Sequence, residues 1–235
     1  MKNVTKVLSV AGISCALLLS SCGSMTNLGK GAAIGGAGGG AVGAGVGALI
    51  GGGKGAGIGA AIGAAVGAGA GMLIGKKMDD QAKALREIEN AKVEETSDAN
   101  GLKAIRVTFD GGILFPTNGT TLSTQARADL SQFAQSLLQN PETNVQIKGY
   151  TDNTGSLEVN QRVSNGRADA VKNYLLKCGV AASRLSAEGL PMQDYVASNA
   201  TAEGRAQNRR VEIFISANEN MIRQAEAEAA QQGYK

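Results

Sequence analysis

A chain of 235 residues with 23 basic and 20 acidic side chains, eight aromatics, no Trp and no His excludes several chemistries at once. Without an imidazole there is no Ser-His triad and no His-ligated metal site, and no cofactor is expected. Loss of Lys2 and Lys6 with a leader leaves 21 basic against 20 acidic residues; with no basic stripe and no interleaved aromatics, nucleic acid is not an expected partner. All eight aromatics and all three prolines lie beyond residue 100, so one compact domain is expected in the C-terminal half.

Residues 1–21 read as a signal peptide: Lys2 and Lys6 form the charged start, Val7 to Leu19 the apolar stretch, and Ser20-Ser21 the small residues before Cys22. Leu19-Ser20-Ser21-Cys22 resembles a bacterial lipobox, which implies cleavage before Cys22 and lipidation of its sulfur and new N-terminus, palmitate included. Residues 22–28 are then an acylated N-terminus and linker. Three chains anchor firmly where one is marginal. Gly23 stands where an Asp retains lipoproteins at the inner membrane, so the expected location is the outer membrane, the alternative being the inner one. Cys15 leaves with the leader and Cys22 is acylated, which leaves Cys178 as a lone thiol and no intrachain disulfide.

Between Gly29 and Gly75 the chain carries 21 glycines in 47 positions, but not at random. Gly31, Gly35, Gly39, Gly43, Gly47, Gly51, Gly55, Gly59, Gly63, Gly67, Gly71 and Gly75 keep an unbroken four-residue period. Val42-Gly43-Ala44-Gly45 recurs as Val66-Gly67-Ala68-Gly69, which marks an internal repeat. Lys30, Lys54 and Lys76-Lys77 bound charge-free stretches of 23 and 21 residues, each long enough to cross about 30 Å of hydrocarbon as a helix. Small residues at this spacing let helix backbones approach closely, so 29–76 is expected to be a glycine-zipper helical hairpin whose glycines form the packing face. The alternatives are a disordered tether and a soluble homo-oligomer. Phosphate-loop readings fail, since neither Lys54 nor Lys76 is followed by Ser or Thr.

Residues 77–92 are expected to be a helical spacer, with Met78, Ala82, Leu85, Ile88 and Ala91 at helical spacing. The domain proper is expected over 93–217. Strands are predicted over 93–96 and 102–109 around the turn Asp98-Ala99-Asn100-Gly101, with a short one at 113–115. Ser123 is placed to cap a helix running to Gln139. A strand containing Val145 and Ile147 precedes a second helix over 157–178, and further strands are predicted at 184–189 and 211–216 with a helical piece at 202–207. Strands and helices alternate, which predicts an α/β (α+β) domain, helices packed on a mixed sheet. Residues 218–235 read as a loosely attached helical or disordered tail.

The motifs Gly149-Tyr150-Thr151-Asp152-Asn153-Thr154-Gly155, Asn160 with Val163-Ser164-Asn165-Gly166-Arg167-Ala168, and Gly204-Arg205-Ala206-Gln207-Asn208-Arg209-Arg210-Val211 together resemble the OmpA C-terminal domain family. Tyr150 replaces the usual His and Val163 the usual Leu. With the leader and the glycine ladder included, the whole arrangement is similar to lipoproteins of the YiaD type. The resemblance implies noncovalent binding of peptidoglycan through the diaminopimelate of its stem peptide. That group ends in an ammonium and a carboxylate on one carbon, which an acid and a guanidinium across a cleft can read together. On this basis Asp152 and Arg167 are the central pair, Arg209 a second cation, Asn160 a ligand contact or a support for the Asp152 loop, and Thr151 part of the same site.

An enzyme is not expected: Ser164 and Cys178 have no visible general base, and no carboxylate pair sits in a glycosidase context. The implied function is a lipoprotein tether between outer membrane and peptidoglycan, lipid-held at Cys22, with the domain in the periplasm. The alternative is a membrane assembly or pore built by the glycine ladder and merely positioned by the wall-binding domain.

Overall fold

The computed structural model describes residues 66–116 and 119–233. The signal peptide, Cys22, the 22–28 linker and the ladder glycines from Gly31 to Gly63 lie outside the described residues.

The order of elements is α1 (Ala68–Leu85), β1 (Ala91–Ser97), β2 (Lys103–Asp110), α2 (Gly111–Leu114), α3 (Thr124–Gln139), β3 (Thr143–Tyr150), α4 (Leu157–Lys177), a 3-10 turn (Ala182–Arg184), β4 (Leu185–Leu190), α5 (Ala202–Asn208), β5 (Arg210–Ala217) and α6 (Glu219–Gln231). The strands form one sheet in the order β1-β2-β5-β3-β4, antiparallel except for β3 and β4. That parallel pair needs a crossover, and α4 supplies it. The expected mixed sheet with packed helices is what forms.

Strand periodicity sorts the side chains. Ile105, Val107 and Phe109 of β2, Val145 and Ile147 of β3, and Val211, Ile213 and Ile215 of β5 alternate onto one face and are buried. Against them lie Ala126, Leu130, Phe133, Ala134 and Leu137 of α3, all buried. Phe109 and Phe133 meet edge to face with centroids 6.0 Å apart. Ser123 caps α3 by accepting the Ala126 amide at 2.9 Å. In α4 the buried face is Ala168, Val171 and Leu175, with Val163 only partly covered.

Three expectations are corrected. Residues 113–115 are not a strand: the Asp110 side chain accepts the Gly112 amide and starts the single turn α2 instead. The stretch 218–231 is not loosely attached, because Asn218 caps α6 and Met221, Ala225 and Ala229 bury themselves against the rest of the core.

The third correction concerns the spacer. Its helix begins at Ala68, inside the glycine ladder, and buries Ala70, Ile74, Met78, Ala82 and Leu85 in the domain core. Polar contacts fasten the same helix: Lys77 pairs with Glu142 at 3.2 Å, and Lys103 reaches both Asp79 and, at 2.8 Å, Glu95. Residues 68–75 of the second arm of the expected hairpin thus belong to a helix packed on the domain. Among the described residues no helix is long and apolar enough to cross a membrane. Among the described residues, a Cβ at Gly67 or Gly75 would meet nothing within 4 Å.

Candidate functional site

Antiparallel pairing sets Gly149 of β3 opposite Val211 of β5, so the residues leaving β3 lie beside those entering β5. Asp152 and Arg209 occupy those positions, and Arg209 Nη1 donates to Asp152 Oδ2 at 2.6 Å. On the other side of β5, Asp110 pairs with Arg210. This register brings α2 under Arg209, whose carbonyl accepts the Gly111 amide at 2.8 Å. The two adjacent arginines then part company: Arg210 turns to Glu212 at 2.7 Å and stacks 3.8 Å from the centre of the Tyr150 ring, leaving Arg209 alone at the site.

Arg167 arrives on α4. It is buried, donates from Nε to the Gly119 carbonyl at 3.1 Å, and lies 5.2 Å from the centre of the Phe115 ring. Among the described residues it makes no ion pair. Burial and then the like charge of Arg209 pull its pKa down while Asp152 pushes it up, so all three charges share one field. A guanidinium stays protonated under any such pull.

The Asp152 loop is built for order. Burial alone would raise the carboxyl pKa, but the Arg209 hydrogen bond, those from Thr154 and the Arg209 charge outweigh it and hold the group below its ordinary value. Oδ1 accepts the Thr154 amide at 2.8 Å. Asn160 donates to the carbonyls of Thr154 at 2.8 Å and Ser156 at 3.0 Å, so its amide is spent on the loop. Thr151 accepts the Met192 amide at 3.1 Å and thereby anchors the following segment, 191–201, to the end of β3.

Two groups at this site were not singled out from sequence. Asn208 is fully buried, accepts the amides of Val196 and Ala197, and donates to the Ala197 carbonyl and to Asn199, which in turn receives the Asn153 amide at 3.4 Å. Its place beside Arg209 in the motif is the signal that could have found it. The seat of Arg167, Phe115 and Gly119, carries no local signal, because the contact spans 48 residues.

One carboxylate and two guanidinia leave the site with a net positive charge. Such a cluster suits a ligand end that is itself mixed, with at least one carboxylate for the cations and an amine for the acid. Among the described residues no group of three His, Cys, Asp or Glu side chains is placed to hold a metal ion.

Residues 114–209 match the OmpA family, and residues 1–79 match the YMGG-like Gly-zipper. The chain is 40% identical over 136 residues to YiaD of Escherichia coli K12, named a probable lipoprotein, an alignment covering 55% of this chain and 62% of that one. It is 42% identical over 113 residues to the peptidoglycan-binding protein ArfA of Mycobacterium bovis, covering 48% of this chain and 35% of that protein. The chain thus spans less than two thirds of the length of either curated relative. Among solved structures, a MotB-like protein from Desulfovibrio vulgaris superposes with a TM-score of 0.53 at 25% identity, over 61% of this chain and 93% of that one. The match over 114–209 takes in α4, α5 and the residues of the charged cluster, and its fold is the one described above. The chain is thus similar to the OmpA family over residues 114–209 and to the YMGG-like Gly-zipper over residues 1–79.

Proposed function

We propose that this protein binds peptidoglycan noncovalently and ties it to the outer membrane, without catalysing a reaction on it. The observation that carries the reading is the convergence of Asp152, Arg209 and Arg167 at one end of the sheet, an arrangement complementary to the ammonium and carboxylate of a diaminopimelate end. The 42% identity to a protein named for peptidoglycan binding, and the 40% identity to one named a probable lipoprotein, support it.

In this reading Asp152 takes the ammonium, Arg167 and Arg209 take the carboxylate, and Asn160 and Thr151 hold the loops that present them. Cys22 carries the acyl chains, and the domain faces the periplasm. Confinement at the membrane raises the effective concentration of the wall, so modest affinity per domain suffices for a tether. Sedimentation of the full chain with purified diaminopimelate-type sacculi tests the site. Asp152→Ala and Arg167→Ala each lose at least about tenfold in binding while melting as cooperatively as the parent. Normal sedimentation by both variants overturns the assignment. Loss of palmitate incorporation in Cys22→Ser tests the anchor.

A further inference from the structure

The hydrogen bonding of Asp152 carries a consequence for how a ligand enters. Its Oδ2 is held by Arg209 and its Oδ1 by the Thr154 amide. A ligand ammonium bonding directly to Oδ2 meets the Arg209 guanidinium already there.

Arg209 differs from Arg167 in freedom. Its side chain is 41% exposed against 7% for that of Asp152, whereas Arg167 is buried between Phe115 and Gly119. Its backbone, by contrast, is fixed: a Cβ on Gly111 would stand 2.4 Å from the Arg209 carbonyl oxygen, so α2 and the Arg209 peptide cannot slide past one another. Only the side chain of Arg209 is free to turn.

We infer that Arg209 is a latch on the ammonium subsite: it neutralises Asp152 in the empty protein and is displaced by the incoming amine, after which its guanidinium turns to the ligand's carboxylate. This rests on the reading of the site given under Proposed function and adds the specificity to it. A ligand end with both groups replaces one ion pair by two, so the exchange is favourable. An end with the amine but an uncharged carboxamide breaks the Asp152–Arg209 pair and offers Arg209 nothing in return. The latch thus makes the site demand both charges on one carbon, and it predicts discrimination against amidated stem peptides.

The test compares the full chain and Arg209→Gln for binding to two probes by calorimetry. One is the tripeptide stem ending in meso-diaminopimelate. The other is the same tripeptide with the carboxylate beside the free amine converted to carboxamide. Wild type binds the acid and binds the amide about tenfold or more less well. Arg209→Gln binds the acid no better than wild type but binds the amide about threefold to tenfold better than wild type, because no pair has to be broken. Gain of binding on deleting a site cation is the signature.

Equal binding of the amide by the two proteins, or weaker binding by a variant that still melts cooperatively, overturns the latch. Failure of wild type to bind the acid probe or sacculi overturns the underlying reading instead. Should Arg209→Gln not fold, Arg209→Lys serves: its weaker monodentate pair gives a smaller gain on the amide, and no gain overturns the latch.

Discussion

A Cβ placed on Gly149 would stand 2.3 Å from the carbonyl oxygen of Ser164. Strand β3 and helix α4 therefore touch backbone to backbone, and that contact fixes where the helix sits along the strand. Asp152 lies three residues past the glycine and Arg167 three residues past the serine, so one close approach sets the distance between the two. Gly149→Ala must push α4 away or unfold the domain. The expected loss is about 3 kcal/mol, seen as a lowered denaturant midpoint, together with loss of sacculus binding. A variant with unchanged midpoint and binding would show that the contact is soft.

Helix α1 belongs to the domain, and its removal is expected to unfold it. A fragment beginning at Lys92 lacks the buried Ala70, Ile74, Met78, Ala82 and Leu85 and should give no cooperative melt, whereas one beginning at Gly67 should. Within the full chain Ile74→Ala costs about 2–4 kcal/mol, the usual range for truncating a fully buried Ile. Circular dichroism on the two fragments decides it; a well-folded Lys92 fragment would return α1 to the status of a spacer.

Asp98 in the β1–β2 turn predicts a pH dependence. Burial pushes its carboxyl up to about 6, against the pull of hydrogen bonds from the Leu102 and Asn100 amides and the Asn100 side chain. The folded state thus holds the proton more tightly than the unfolded chain does. The stabilisation from this group is complete below the ordinary aspartate pKa, about 4, and is lost as pH rises through about 6. Asp98→Asn keeps an acceptor oxygen for both amides and removes the charge. Its melting temperature should exceed that of the parent at pH 7.5, by the equivalent of about 1–3 kcal/mol, and meet it at pH 4. Parallel curves across that range would contradict the assignment.

Asn160 separates loop order from ligand contact. Asn160→Ala removes the donors to the Thr154 and Ser156 carbonyls and should cost about 1–2 kcal/mol in stability. Because Thr154 in turn holds Asp152, sacculus binding should fall about tenfold at a temperature where the variant is fully folded. Lower stability with unchanged binding would mean that the Asp152 loop holds its shape without this amide.

Local chemistry determined much of this protein before any fold was known. Alternation in β2, β3 and β5, the Ser123 cap and the apolar face of α3 depend on neighbours a few residues away, so they are legible in the chain, as are the three motifs and the acids and bases they contain. Which charges touch is another matter. Arg209 rather than Arg167 bonds to Asp152, because strand register, a relation across 57 residues, lays the entrance of β5 beside the exit of β3. The fate of the helix after the glycine ladder was equally illegible: the same spacing of Met78, Ala82 and Leu85 describes a solvated spacer or a buried core helix. Only the sheet and α6 on which it lies decide between them, since burial is a property of the partner surface and not of the stripe itself.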